Sequence, residues 1–396
     1  MSAKMVGQRI LKKLNDAGYD AYFIGGMVRD TLLGRDVYDA DITTSATPED
    51  ILNLFEKAIP TGLKHGTVTV VADGENIEVT TFRLDGDYLD HRHPEKITFT
   101  DSLYADLARR DFTVNAIAKD VNGRITDPFN GKADLEAGII RAVGTPEARF
   151  KEDALRILRG IRFVAKLGFD VEEETLKAMK SCRNLLPNLS FERIRKELEG
   201  IIEGAHRVKA LTIMRDYNLF KSLPFWDTFD TLKDEEIIKL DDFRLMTLLI
   251  QEKDRAANSN AFFRKFPLTR HEKKLIENVE KALDFREVGN ARSKLVQYYF
   301  GTETLEFLMK YETFHHTPSH NKENLSLSFN LPIQNRRDLA LKPKEVINLF
   351  DRESGPWVNQ LFTEMERKVV LGELANRSKE LLTFIKESVI FDVKEN

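Results

Sequence analysis

The apolar pattern of this chain changes period once, near residue 145. Upstream, short apolar stretches alternate with polar residues and end at glycine turns. Downstream, from RFKEDALRILRGIRFVAKLGF to the C-terminus, apolar residues recur at helical spacing and hairpin signals vanish. A period of two builds strands and a period of 3.6 builds helices. The chain is therefore expected to be α+β: a small α/β head with a mostly antiparallel sheet, followed by an elongated all-helical remainder.

Within the head, residues 1–20 form an amphipathic helix with Val6, Ile10, Leu11 and Leu14 on one stripe. AYFI is a short strand that ends at Gly25-Gly26, and MVRDTLLGR resumes as helix. DVYDADITT (36–44) reads as the second strand. TPEDILNLF carries helix-start chemistry: Thr47 as N-cap, Pro48 at the first helical position, Glu49 and Asp50 in the first turn. Hairpins are expected around Asp73-Gly74 and Asn122-Gly123, with a helix in RRDFTVNA. In the helical remainder, loops are expected near Pro224, at 258–260 and at 315–324.

At 396 residues the chain is long enough for two to four domains. Boundaries are expected at 1–146, 147–210, 211–300 and 301–396. No run of about 18 apolar residues is present, so no membrane span is expected. The N-terminal residues show no signal-peptide pattern, and a cytoplasmic location follows. The single cysteine, Cys182, rules out an internal disulfide and reads as a partly buried thiol near a helix end. His65, His91, His93, His315 and His316 have no ligand spacing, so no zinc site is expected. Trp226 and Trp357 read as packing residues. The net charge of −4 gives no global pull toward nucleic acid, so RNA binding would need local basic clusters.

Asp39 and Asp41 stand two apart in DVYDADITT, so on a strand they share a face. Two bare carboxylates side by side repel, and a divalent cation relieves them. Mg²⁺ prefers oxygen ligands and binds through one or two carboxylates plus substrate phosphates. Gly25-Gly26 opens a helix just upstream, leaving backbone N–H groups to face phosphate oxygens. Arg29 lies one turn on and could fork to the same phosphates. Glycine turn, arginine and paired aspartates suit a nucleoside triphosphate, though no P-loop or Rossmann fingerprint is present. In ENIEVTTFR, Glu78 alternates with Ile77 and Val79 and is a candidate third carboxylate. A solvated strand face would carry the same residues.

GGMVRD, GRDVYDADITTSATPE, RRDFTVNA (109–116), DPFNGKADLEAGIIRAV (127–143) and EDALRILRGIRF (152–163) follow one another in the order and spacing of a known family. They resemble the class II tRNA nucleotidyltransferases, the CCA-adding enzymes, which are closely related to bacterial poly(A) polymerases. The resemblance covers the first 200 or so residues strongly. SFERIRKELEGII (190–202) resembles the family's fifth motif, and GPWVNQLFTEMERKVVLGELANRSKELL resembles the tail of the Gram-positive-type members.

That resemblance implies a nucleotidyltransferase head, a helical neck bearing the nucleotide-selecting helix, a helical body and a tRNA-binding tail. Asp39 and Asp41 would bind Mg²⁺, with Glu78 as the third catalytic carboxylate. Gly25, Gly26 and Arg29 would hold the triphosphate. In RRDFTVNA, Asp111 would accept from the ribose 2′-hydroxyl and Arg110 would reach phosphate, with Asn115 in the same nucleotide site. A site built to bond a hydroxyl rejects the analogue that lacks it.

Asp153 and Arg156 are three apart and are expected on one helix face. Cytosine and adenine both present an amine beside a ring-nitrogen acceptor. An aspartate accepts from the amine and an arginine donates to the ring nitrogen, whereas uracil and guanine present the reverse order. A good bidentate pairing discriminates by about 1–3 kcal/mol. Glu152 would orient Arg156, and Arg159 and Arg162 continue the face as phosphate contacts. The polar segment 83–103 reads as a mobile loop of the kind that CCA-adding members keep and CC-adding members lack. Asp127, Gly131 and Asp134 match the family's hinge motif.

Candidate tRNA contacts are Arg264-Lys265, Arg270-His271 with Lys273-Lys274, and Arg336-Arg337. In NLPIQNRRDLALK, Asn-Arg-Arg stands where relatives carry a glycine, which concerns tail-loop geometry. The expected reaction is addition of C, C and A to the tRNA 3′ end from CTP and ATP, with Mg²⁺ and no template. A homodimer is compatible with the sequence. Rival readings are a bacterial poly(A) polymerase, a CC-adding or A-adding enzyme, and a nonenzymatic RNA-binding protein on the same head.

Overall fold

Helix α1 (Ala3–Asp16) buries Val6, Ile10, Leu11 and Leu14. Full burial of one such side chain contributes about 1.5–3 kcal/mol. It lies on a seven-stranded sheet of order β3-β4-β5-β2-β1-β8-β9. The strands are β1 (Ala21–Ile24), β2 (Asp41–Thr44), β3 (Ala58–Gly62), β4 (Thr67–Ala72), β5 (Glu75–Thr81), β8 (Ala118–Lys119) and β9 (Ile125–Thr126). All pairings in it are antiparallel except β2 with β5. The computed structural model describes residues 3–37, 39–86, 97–256, 266, 268–315, 328–350 and 353–392.

Register sets the two faces of this sheet. Ile42 pairs with Phe23 on one side and Val79 on the other, and Val79 pairs with Val68. These four are buried, and Gly7 of α1 lets the helix approach the Phe23 ring. Asp41, Thr43, Glu78 and Thr80 occupy the opposite face. Alternation thus puts an apolar layer under α1 and the acidic residues on the other side.

Helix α2 (Gly26–Leu32) follows β1 directly, and α3 (Pro48–Leu54) starts with the expected cap, in which Thr47 and Asp50 bond reciprocally. The Asp73-Gly74 turn has both residues at positive φ, the geometry of a two-residue hairpin. A small hairpin of β6 (Arg83–Asp85) and β7 (Ile97–Phe99) forms the stem of segment 83–103. Residues 87–96 of that segment, with His91 and His93, lie outside the described residues.

Three expectations change. Strand β2 starts at Asp41, not Asp36, because its partner β1 stops at Ile24 where Gly25 turns away. Asp39 therefore precedes the strand. RRDFTVNA holds only a single 3-10 turn, Thr113–Asn115, after helix α4 (Leu103–Ala108). Strand pairing also persists past residue 145: β10 (Ile139–Ile140) pairs in parallel with β11 (Asp170–Val171).

Helices α5 (Gly131–Ala137), α6 (Pro146–Glu152), α7 (Leu155–Leu167), α8 (Glu173–Cys182) and α9 (Phe191–Ile202) continue the first unit, which spans residues 1–267. Cys182 closes α8 and is buried, and Trp226 is fully buried among Phe229, Phe243 and Phe266. Asp127 accepts from the Gly131 and Lys132 amides and caps α5. A Cβ on Gly131 would meet the Thr113 carbonyl oxygen at 2.1 Å, and the Asp134 carboxylate accepts from the Thr113 hydroxyl. Of the three expected hinge positions, Asp127 thus caps α5, and Gly131 and Asp134 fasten it to the 3-10 turn.

The second unit, 268–396, is helical among its described residues. Its core gathers Leu295, Val346, Phe362, Met365, Val369 and Leu381, with Trp357 packed against it. The Arg336 guanidinium donates to Glu366, Asn359 and Thr363. The Asn335–Asp338 turn is closed by reciprocal capping, which accounts for Asn-Arg-Arg at this point. Arg337 is exposed. Arg270 and Lys274 are exposed at the start of helix Arg270–Leu283, Lys273 is half-buried, and His271 lies 3.0 Å from Glu303. Arg264 and Lys265 lie outside the described residues.

Candidate active site

Asp41 and Glu78 stand opposite each other in the parallel register of β2 and β5. Asp39, Asp41 and Glu78 are all exposed. The Asp41 carboxyl is nonetheless pushed up from its ordinary value. The protein walls around it thin its hydration, the Glu78 charge adds to this, Arg110 opposes it, and Asp39 raises it again. Sheet pairing, invisible in the local sequence, sets Glu78 opposite Asp41. Among the described residues no group of three or more His, Cys, Asp or Glu side chains is gathered closely enough to hold a metal on its own.

Gly25 sits at φ 65 and ψ −132, a conformation open to glycine, and so turns β1 into α2. A Cβ built there would lie 3.5 Å from Arg110 Nη1 and 3.9 Å from Asp41 Oδ2. The glycine turn, the acid and Arg110 therefore share one corner. Arg29 lies against the same turn, its Nη2 3.5 Å from a Cβ built on Gly26. It is buried at 3% exposure, donating Nε and Nη2 to Asp30 and Nη1 to Asn115 Oδ1 at 2.7 Å. Its α2 position turns it inward, where it fixes Asn115.

Asn115 in turn donates to Asp111 Oδ1 over 3.4 Å. Asp111 Oδ1 also accepts from the Phe112 amide, and Oδ2 takes the Arg159 guanidinium at 2.7 Å. Burial alone would raise the Asp111 carboxyl, but Arg159, joined by Arg156 and the Phe112 amide, outweighs it and holds the group low. Arg162 is tied to Glu197 of α9 at 2.5 Å. Arg159 and Arg162, expected as phosphate contacts, each bond a carboxylate within the fold, and Arg159 also lines a pocket with Asp153 and Arg156.

Asp153 and Arg156 do not share one helix. Helix α6 ends at Glu152, Asp153 is extended, and α7 begins at Leu155. The break follows from the aspartate itself, whose Oδ1 accepts the Leu155 amide at 3.0 Å and caps the new helix. The two side chains still line a common pocket of about 270 Å³ with Arg109, Arg110, Asp111, Leu155, Arg159 and Arg193. Arg156 Nη1 donates to Glu152 Oε2 at 2.6 Å and to the Arg149 carbonyl, and Nη2 to the Arg109 carbonyl. Glu152 thus orients Arg156 as expected from its spacing. Among the described residues these bonds leave Nε–H and one Nη2–H, of five donors, for a ligand.

Sequence reading missed Asp106. It is fully buried and takes Arg109 Nε and Nη2, Arg110 Nη2, the Thr43 hydroxyl and the Arg83 amide. Burial raises its carboxyl, yet Arg109 and Arg110 outweigh this and hold it low. Burial also lowers Arg110, against the pull of Asp106. The D-x-x-R-R spacing of DLARR, which puts both arginines one turn from the acid, was the available signal.

A nucleoside triphosphate fits this corner: oxygen ligands for a cation, an arginine and a glycine turn for phosphates, a pocket beside them for the base. A sheet of this kind carrying such a corner marks a nucleotidyltransferase. Residues 21–141 match the model described as "Poly A polymerase head domain", and residues 243–385 match that of a tRNA nucleotidyltransferase domain 2. A CCA-adding enzyme of Geobacillus sp. (strain WCH70) is 38% identical over 94% of each chain, and one of Staphylococcus epidermidis is 35% identical over 95% of this chain and 96% of its own. The chain belongs to the CCA-adding enzymes. The crystal structure of the Bacillus stearothermophilus CCA-adding enzyme in complex with CTP aligns at a TM-score of 0.80, with 33% identity and 98% of each chain covered. The Thermotoga maritima CCA-adding enzyme complexed with tRNA shares the fold at a TM-score of 0.71 and 23% identity.

Proposed function

We propose that this chain completes the 3′ end of tRNA, adding C, C and A from CTP and ATP without a nucleic-acid template. One observation carries the reading: Arg110 faces Asp41 at the glycine turn and also lines the pocket that holds Asp153 and Arg156. A nucleotide whose phosphates lie at the first place reaches the second with its base.

The family's transfer is metal-dependent, and the all-oxygen donor set at Asp39 and Asp41, crowded by Glu78, fits Mg²⁺. When bound there, the ion supplies charge for the triphosphate and the attacking hydroxyl. The chain's own groups do the rest. Gly25 and Gly26 keep side-chain atoms out of the approach. Arg110 faces the phosphates. Asp111 takes the ribose 2′-hydroxyl by releasing the long bond from Asn115. Asp153 accepts from the base amine, and the two remaining Arg156 donors meet the ring nitrogen. The terminal 3′-hydroxyl of the RNA attacks the α-phosphate, pyrophosphate leaves, and no protein nucleophile is needed.

In this reading residues 1–146 form the catalytic head, 147–210 the nucleotide-selecting neck, 211–300 the body and 301–396 the tRNA-binding tail. Among the described residues no helix is long and apolar enough to cross a membrane. The substrates favour the cytoplasm as the place of action. The test is incubation of the protein with tRNA lacking its last three nucleotides and each labelled nucleotide. Two C residues and one A are expected. Runs of A, or arrest after the second C, would overturn the reading.

A further inference from the structure

Asp153 can report the base amine only if its carboxylate plane is fixed. A carboxylate offers about four lone-pair sites, and which of them faces a ligand depends on rotation. Oδ1 is held by the Leu155 amide, a bond within its own turn. Oδ2 is held from elsewhere: Arg193 of α9 donates Nη2 to it at 2.6 Å. Arg193 belongs to the same pocket.

Helix α9 is itself anchored. One turn beyond Arg193, Glu197 takes Arg162 of α7 at 2.5 Å, and Gly200 lets the Arg162 stem lie against the α9 backbone. Arg193 and Glu197 are four apart, so they project from one face of α9 toward the two ends of the selecting segment. One guanidinium nitrogen makes the contact, a charge-assisted bond that, with the Leu155 amide on the other oxygen, holds the carboxylate at both ends. Arg193 Nη1 is buried with no hydrogen-bond partner among the described residues. The pocket thus holds a donor that an occupant can satisfy.

We propose that Arg193 is a positioning residue that sets nucleotide discrimination by locking the Asp153 carboxylate against rotation. This rests on the reading of Asp153 and Arg156 as the base-selecting pair. With Arg193 in place, the fixed acceptor meets the cytosine amine and opposes the uracil carbonyl. Without it the carboxylate turns aside, cytosine loses a bond, and uracil loses its opposition.

The test compares kcat/KM for CTP and UTP in addition to tRNA lacking its end, for the parent, Arg193→Met, Arg193→Lys and Asp153→Asn. In Arg193→Met the CTP:UTP ratio falls by about tenfold or more, the scale of one lost base contact. Arg193→Lys recovers part of it. A merely structural role would slow both nucleotides equally and leave the ratio intact. If Asp153→Asn collapses the ratio while Arg193→Met preserves it, the positioning role is wrong and the base-selecting pair stands. If Asp153→Asn preserves it, the underlying reading is wrong. Should Arg193→Met fail to fold, Arg193→Lys decides: the ratio falls by about threefold for a partly held carboxylate, and an unchanged ratio overturns the proposal.

Discussion

Asp41 and Glu78 face each other across the parallel pair of β2 and β5, in register, with both carboxylates on the side of the sheet that α1 does not cover. Like charges directly opposite on neighbouring strands are destabilising. The fold accepts that opposition at a corner where a glycine turn and Arg110 also converge. Function explains the placement better than stability does.

Replacing Glu78 by Gln should therefore stabilise the free protein while harming the reaction. A rise of about 1–2 °C in the thermal midpoint is expected without divalent ions. The gain should vanish when Mg²⁺ is added, because the ion relieves the same repulsion in the parent. Parallel melting curves with and without Mg²⁺ check this. A lower midpoint for Glu78→Gln without metal would count against the crowding.

Asp106→Asn tests the buried anchor of Arg109 and Arg110. Removing one charge from a buried pair costs about 3 kcal/mol. The sign with pH is fixed. The folded Asp106 carboxyl is held below its ordinary value, so its contribution is present above the unfolded value of about 4 and is lost as pH falls through the lowered folded one. Urea unfolding should show the widest gap between parent and variant near neutral pH. The gap should close below about pH 4. A gap that grows on acidification would contradict the pairing.

Much of this was open to reading in the sequence, for physical reasons. The Thr47 cap, the Asp73-Gly74 and Asn122-Gly123 turns and the α1 stripe are decided by neighbours within a few residues, so pattern reveals them. Other features depend on chain that is distant in sequence. The length of β2 is set by where β1 ends, and Glu78 reaches Asp41 only through sheet register. The carboxylate partners of Arg159, Arg162 and Arg336, namely Asp111, Glu197 and Glu366, lie 30 or more residues away, so local pattern does not reveal them. The break at Asp153 is local, and the competition of an aspartate with the helix backbone was its signal.

Asp111 should govern the choice of sugar. With Asp111→Ala the preference for CTP over dCTP should fall by about tenfold to a hundredfold, the worth of a charge-assisted bond to the 2′-hydroxyl. Single-turnover addition with each nucleotide measures this. An unchanged preference would mean that Asp111 serves only to hold Arg159 and Asn115.

The most direct measurement is nucleotide addition by an Asp39→Ala, Asp41→Ala double variant, made on tRNA lacking its terminal CCA with labelled CTP and ATP. The variant should melt at or above the parent's midpoint and still bind CTP through Arg110, Asp153 and Arg156. Its addition rate should drop by about a thousandfold or more, matching the several kcal/mol that a positioned cation supplies. Addition at the parent rate by that folded variant would contradict the account.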